Sequence, residues 1–392
     1  MTKKIPFSPP DITQKEIDAV VDVLKSGWIT TGPKTAEFEK ELAKYCNANH
    51  AVATANATSG LELMLQVFDI KHGDDVITTP YTYTATASVS VHRGIKPTMV
   101  DVKKDSFLID IDKLYDAIKP NTKAIYPVDF GGVPVDYDAI RDVLKAKGRE
   151  DIIIVADSSH AIGASYKGKK VGAQADAHVF SFHAVKNLIT AEGGAVTFND
   201  NHLRGKEDLV KELKLMSLHG QSKDALSKMK AGAWKYDILY TGYKCNMTDI
   251  NAAIGLVQLS RYENMRKIRK SIFDLYSDAL KDKDWAIVPF EKDDVKQNSY
   301  HLYSLRLNGF KEEDRNNVIK ALADRDIATN VHFTPLPMFT AYKNLGYSIK
   351  DYPNAYAQYA NEITLPSYSM MSLDDAQYVI ENVIDVVEKI RK

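Results

Sequence analysis

Residues 152–160 read Ile152-Ile153-Ile154-Val155-Ala156-Asp157-Ser158-Ser159-His160: five apolar residues without alternation, then an acid, two hydroxyls and an imidazole. A continuous β-branched run of this kind suits a strand buried on both faces, the pattern of a parallel sheet covered by helices. The polar residues then fall at the strand's carboxyl end, where open α/β sheets bind ligands. Working outward, short apolar runs at 50–55, 75–79, 97–102, 123–128, 177–182 and 194–198 bring the predicted strands to seven. Between the earlier ones, segments such as 58–68 (TSGLELMLQVF) and 137–147 (YDAIRDVLKAK) repeat apolar residues at helical spacing. Alternating strand and helix predict an α/β layered domain with a mostly parallel seven-stranded sheet.

Beyond this region the texture changes. A helical pattern at 251–279 leads out of the sheet, and strand-like runs at 285–290 and 300–307 with helical patterns at 313–325 and 373–391 read as a smaller α+β domain. The expected division is a large domain over 1–255, including an N-terminal arm, and a small C-terminal domain over 256–392. The 392 residues are 44% hydrophobic and 26% charged, which argues against long disorder or coiled coil. A net charge of -1 lacks the cationic field of a nucleic-acid binder, so no nucleic acid is expected as a partner. Two cysteines, Cys46 and Cys245, are too few for a disulfide framework, and a reducing cytoplasm is the expected compartment. Prolines interrupt the first ten residues where a signal peptide needs an apolar stretch, and no run approaches the ~20 apolar residues of a membrane span.

The chemistry is sought at the strand ends. The run at 179–182 is followed by His183, Ala184, Val185 and Lys186, so an acid, Asp157, and a lysine emerge from two successive predicted strands. An aspartate after a strand is ordinarily a turn or cap residue, and a lysine is ordinarily solvated. Together they can do something specific. A lysine at an apolar strand end can shed its proton and form a Schiff base, and a buried carboxylate can hold a pyridinium nitrogen protonated. That is the arrangement pyridoxal 5'-phosphate (PLP) requires. The phosphate needs free N–H groups at a helix start, and Asn56-Ala57-Thr58-Ser59-Gly60 is such a turn, with Thr58 or Ser59 the expected capping hydroxyl. Ser181 offers a further hydroxyl, and Pro80-Tyr81-Thr82-Tyr83 an aromatic platform. A Gly-x-x-x-x-Gly-Lys-Ser/Thr loop, a Gly-x-Gly-x-x-Gly turn and a His-Glu-x-x-His pair are all missing, and His160, His178 and His183 lack the cysteine company and common facing of a metal site, so no metal is expected.

These residues resemble a known family, the DegT/StrS sugar aminotransferases, which are fold type I (aspartate aminotransferase-like) PLP enzymes. The likeness runs nearly end to end. It is carried by 26–33 (SGWITTGP), the Ala57-Thr58-Ser59 turn, 156–161 (ADSSHA), 180–187 (FSFHAVKN), 191–194 (AEGG) and 242–249 (GYKCNMTD). Among members the chain is most similar to nucleotide-sugar C4 aminotransferases, such as those forming UDP-4-amino-4-deoxy-L-arabinose.

The resemblance implies that Lys186 bonds PLP covalently, that Asp157 partners the pyridine nitrogen, that Tyr83 and His160 flank the ring, and that Ala57, Thr58 and Ser181 meet the phosphate. It implies a homodimer with shared active sites, in which the loop at 242–248 serves the partner subunit. That loop commonly reads Gly-Tyr-Asn-Tyr-Arg, with its asparagine on the phosphate; here Lys244 and Asn246 stand in the Asn and Arg positions and are the implied cofactor-binding residues of the loop. Trp28, Tyr83 and His332, with the surrounding stretch Asn330-Val331-His332-Phe333, are its candidates for the sugar-nucleotide side. The implied reaction moves the amino group of L-glutamate to a keto nucleotide sugar, at C4 of a UDP-linked sugar, for cell-surface glycan synthesis. A PLP-dependent sugar dehydratase or C3 aminotransferase of the same fold is the nearer alternative, and a non-catalytic binding or regulatory protein the remoter one. The dehydratase variant carries histidine at the Schiff-base position, where this chain has Lys186.

Overall fold

The computed structural model describes residues 3–200, 205–206, 208–222 and 234–392. The strands in chain order are β1 (His50–Thr54), β2 (Asp75–Thr78), β3 (Thr98–Met99), β4 (Thr122–Ile125), β5 (Ile153–Asp157), β6 (Ser165–Tyr166), β7 (Lys169–Lys170), β8 (Ala177–Ser181), β9 (Gly194–Phe198), β10 (Ala286–Ile287), β11 (Lys296–Gln297), β12 (Tyr303–Leu307) and β13 (Glu362–Leu365). The main sheet has seven strands in the order β1-β9-β8-β5-β4-β2-β3. Only β9 runs against its neighbours β1 and β8, while β8-β5-β4-β2-β3 are parallel. All seven predicted strands therefore lie in one mostly parallel sheet. The prediction at 97–102 shortens to Thr98–Met99 because this edge strand pairs only with β2, and the chain then turns so that the Asp101 carboxylate can cap the helix Pro353–Asn361 through the N–H groups of Asn354 and Ala355.

Strands β2, β5, β8 and β9 are buried at every residue. Alternation sends Val155, Val179 and Val196 to one face, against the helices Ala57–Val67 and Leu209–Ser217, and Ile154, Ala156 and Ile125 to the other, against Ile111–Ala117 and Tyr137–Ala146. Burial of each such valine or isoleucine stabilises the fold by about 1.5–3 kcal/mol. Gly60 brings the helix Ala57–Val67 close to the sheet, since a Cβ there would lie 2.8 Å from Val179 Cγ1. The start of that helix is thereby fixed beside the carboxyl end of β8.

The helix Asp249–Leu280 runs from this body to a second apolar cluster, where Phe273 and Tyr276 pack with Tyr303, Leu305, Ile363 and the helix Leu373–Ile390 around the sheet β10-β12-β13. The N-terminal arm joins the same region through a bridge between Ile5 and Ile327. Among the described residues no helix is long and apolar enough to cross a membrane.

Candidate active site

Asp157 is the last residue of β5, and its carboxylate is oriented from two sides. Thr86 Oγ1 donates to Oδ2 at 2.7 Å, and Ser159 Oγ donates to Oδ1 at 2.6 Å. Neither donor is a cation, so the buried carboxyl group is held by hydroxyls alone and stays open to a further cationic N–H. Lys186 lies five residues past β8, on an excursion whose ends are tied by Phe182 N–H to Gly193 O at 2.9 Å and Thr190 N–H to Phe182 O at 2.8 Å. Its neighbour Asn187 is buried and pinned to Ser299 O and His301. The amine is thus positioned by a rigid base. Burial pushes the Lys186 ammonium down to about 8, partly offset by the pull of the Asp157 carboxylate, so roughly a tenth is free amine at pH 7 and the share rises steeply above it.

His160 is buried and accepts the Gly131 N–H on Nδ1 at 3.2 Å, which places its proton on Nε2. Burial, with the nearby Lys186 ammonium, pushes its pKa well below the usual imidazole range and keeps it neutral. His178 is separate from this site. It is a core residue, near Ser158 Oγ at 2.9 Å and accepting the Ala175 N–H at 2.9 Å, whereas His183 is exposed near Glu192.

The turn at 56–60 corrects one expectation. The capping side chain is Asn56, whose Oδ1 accepts from Ser59 N and Ser59 Oγ at 2.8 and 2.9 Å, not Thr58 or Ser59. Asn56 wins because it is the extended residue just before the helix, from where its acceptor reaches the third helical N–H, whereas Thr58 and Ser59 already lie within the first turn. Thr58 and the first N–H groups of the helix are left to the cavity, on the positive end of the helix dipole.

Asp157, Lys186, Thr58, Ser181, His160 and Tyr83 all line one cavity of about 990 Å³. Ala57 lines it too, and Tyr83 is 63% exposed with its ring 6.0 Å from Phe333. The expected stretch 330–333 lines the cavity, and its Phe333 packs 5.8 Å from His160. Sequence reasoning missed another part of the wall, Phe7 of the N-terminal arm, which stacks on His332 at 5.6 Å. No local signal marks Phe7 or Thr86, because each reaches the site only through the tertiary fold. His332 is in the cavity; Trp28, Lys244 and Asn246 do not line it.

Those three meet elsewhere. Asn246 Nδ2 donates to Thr31 Oγ1, Lys244 Nζ donates to Asn246 Oδ1, and Trp28 Nε1 donates to Thr31 O at 3.2 Å. Asp249 closes the same corner, accepting from Gly32 N at 2.7 Å and Thr35 N at 2.9 Å, and so caps the helix Pro33–Tyr45, which has no side-chain cap of its own. The segments 26–33 and 242–249 are therefore one structural unit.

A PLP molecule fits the cavity residues on chemical grounds. Its aldehyde needs an amine that is not fully protonated, which Lys186 supplies; its pyridinium needs a carboxylate held without a competing cation, which Asp157 supplies; its phosphate needs a helix start. This defines a PLP enzyme of fold type I. Residues 10–384 match the DegT/DnrJ/EryC1/StrS aminotransferase family, and the chain belongs to it. The spore coat polysaccharide biosynthesis protein SpsC of Bacillus subtilis is 40% identical over 98% of this chain and 97% of its own length. Spr1654 of Streptococcus pneumoniae, provisionally assigned as a sugar aminotransferase, is 47% identical in its pyridoxamine phosphate (PMP) form, with a TM-score of 0.95 over 98% of this chain and 100% of its own. PseC of Helicobacter pylori, an aminotransferase in pseudaminic acid biosynthesis, is 29% identical with a TM-score of 0.90 over 99% of this chain and 100% of its own. The protein is a PLP-dependent sugar aminotransferase by family.

Proposed function

We propose that this protein transfers the amino group of L-glutamate to C4 of a UDP-linked 4-keto sugar, in the cytoplasm, for cell-surface glycan synthesis. The observation that carries the reading is the convergence of the Lys186 amine, the Asp157 carboxylate and the start of the helix Ala57–Val67 on one cavity. The polysaccharide and pseudaminic acid assignments of SpsC and PseC support the glycan setting.

Bound there, PLP supplies an electrophilic carbonyl to the amino donor and a ring that takes up the electron pair left when the donor's α C–H bond breaks. Lys186 anchors the cofactor and, once displaced by the donor, carries the proton from the donor's α-carbon as a free amine. Asp157 keeps the ring nitrogen protonated. His160 and Tyr83 bracket the ring, and Ala57, Thr58 and Ser181 hold the phosphate. Tyr83 and His332 face the sugar substrate. Lys244, Asn246 and Trp28 sit outside the cavity of their own chain, which supports a homodimer in which they complete the partner's site. Within each subunit we place the domain division at residue 255, inside the helix Asp249–Leu280, with 1–255 carrying the cofactor residues.

The test is the visible spectrum of the purified protein before and after L-glutamate, without sugar. A yellow band that bleaches to the pyridoxamine form, and returns with a 4-keto UDP-sugar, is the expected result. A band indifferent to glutamate would overturn the donor, and one restored only by a 3-keto sugar would overturn C4.

A further inference from the structure

His332 reaches the cavity at the end of a chain of side chains that runs back into the core. Its Nδ1 lies 2.9 Å from Thr364 Oγ1, and Thr364 Oγ1 lies 2.5 Å from Glu362 Oε1. The other carboxyl oxygen, Oε2, accepts the backbone N–H of His332 at 3.0 Å. Glu362 and Thr364 sit two apart on β13, so both side chains share one face of that strand, and both are fully buried.

We propose that Glu362 is a positioning residue which, through Thr364, decides which ring nitrogen of His332 carries the proton, and hence whether His332 meets the sugar substrate as a donor or an acceptor. This rests on the placement of the sugar in the cavity that His332 lines. The argument is one of hydrogen-bond polarity. Thr364 has one hydrogen to give. If Glu362 is ionised, Thr364 donates to it and must accept from His332 Nδ1–H, leaving Nε2 a bare acceptor. If Glu362 is neutral, its proton sits on Oε1, because Oε2 already accepts the His332 N–H; Thr364 then donates to Nδ1 and His332 presents Nε2–H.

The surroundings favour the neutral form near pH 7. Burial pushes Glu362 up to about 8. The groups that face it are Thr364, Ser304, His332, Tyr81, Arg306 and Arg315. Arg315 Nη1 donates to the backbone carbonyls of Glu362 and Tyr359, and Arg306 to Gln358 and the Asp105 carbonyl, so neither arginine is bonded to the carboxyl. His332 itself stays neutral, pushed down to about 3 by burial and by the Lys186 ammonium, so only one of its nitrogens is protonated. His332 is thus a donor near neutrality, suited to a carbonyl, hydroxyl or phosphate oxygen of the sugar nucleotide, and it turns into an acceptor as Glu362 ionises.

The test follows the ring nitrogens of His332 by NMR on PLP-loaded protein labelled with ¹⁵N-histidine, the signals being assigned by their loss in His332→Phe. Expected is Nε2–H at about pH 7, passing to Nδ1–H through about pH 8, while Glu362→Gln, whose amide donates permanently to Thr364, holds Nε2–H to about pH 9.5. Sugar KM should rise about tenfold over the same interval in the unaltered protein and stay flat in Glu362→Gln. Thr364→Val should uncouple His332 from Glu362 and remove the transition. An Nδ1–H form at about pH 7, no transition, or the same transition in Glu362→Gln overturns the proposal. The NMR result needs no sugar. A protein that shows the switch yet aminates no keto sugar would therefore sink the substrate reading alone.

Discussion

The hydroxyl of Thr86 donates a 2.7 Å hydrogen bond to Oδ2 of Asp157 across 71 residues of chain. Thr82 Oγ1 lies 2.7 Å from Thr86 Oγ1 in turn, so a short file of hydroxyls polarises toward the carboxylate. Its effect is to orient a buried acid without pairing it to a cation, which leaves the carboxyl group for the cofactor's ring nitrogen.

Thr86→Val therefore tests how the acid is held. The variant keeps the shape and strips one donor from a buried carboxyl group, which should cost about 1–3 kcal/mol of stability and loosen the orientation of Asp157. PLP should be held more weakly, read from its dissociation constant by titration of the visible band. Asp157→Asn should lower turnover by about a hundredfold or more while the protein stays folded by circular dichroism. Equal turnover in Asp157→Asn would remove Asp157 from the chemistry.

Lys186 yields a pH prediction with a definite sign. In the cofactor-free protein its pKa is pushed down to about 8, against an unfolded value of about 10.4. Between these values the unfolded chain binds the extra proton, so unfolding free energy should rise with pH across this window. Below about 8 the burial penalty is present in full. Denaturant melts at several pH values should show that rise, and Lys186→Ala should abolish it. The rate of PLP capture should likewise climb with pH and level off above about 8, because only the free amine attacks. Lys186→Ala should show no covalent cofactor band at any pH.

How much of this could be read from the chain follows from the range of each interaction. Strands such as Ile153–Asp157 were legible because burial on both faces writes a continuous apolar run, and Asp157 and Lys186 stood out because the first directly follows such a run and the second comes a few residues after the next. The cap was not legible because three of four consecutive residues, Asn56, Thr58 and Ser59, can all supply an acceptor, and only backbone geometry selects Asn56. Asp101 and Asp249 were invisible as caps since each serves a helix more than two hundred residues away, Pro353–Asn361 and Pro33–Tyr45, whose own N-termini lack a capping side chain. Glu362 reads locally as an ordinary strand residue. Its importance arises from Thr364 and His332, which the fold alone brings to it.

The corrected cap separates two roles that adjacent residues could share. Asn56→Ala should lower stability by about 1 kcal/mol through loss of the N-cap, and weaken PLP by loosening the turn. Thr58→Ala should leave denaturant stability near that of the parent, since Thr58 does not cap the helix, and lower PLP affinity alone. Equal stability losses in the two variants would return the cap to Thr58.

Gly194, at the start of β9, is the tightest point behind the same turn. A Cβ there would lie 2.5 Å from Ala57 N and 2.5 Å from Asn56 C, contacts with backbone that no side-chain rotation can relieve. The strand cannot retreat, because β9 is paired on both sides, with Thr54 opposite Gly194 on β1 and Ser181 opposite it on β8. Gly194→Ala must therefore push the helix start outward, moving Ala57 and Thr58 relative to Ser181. The expected cost is about 1–3 kcal/mol of stability. Because Lys186 and Asp157 are attached to β8 and β5 and not to the displaced turn, the covalent band should still form at high PLP concentration, with a dissociation constant raised by tenfold or more. Unchanged PLP affinity in Gly194→Ala would place the phosphate away from this helix start.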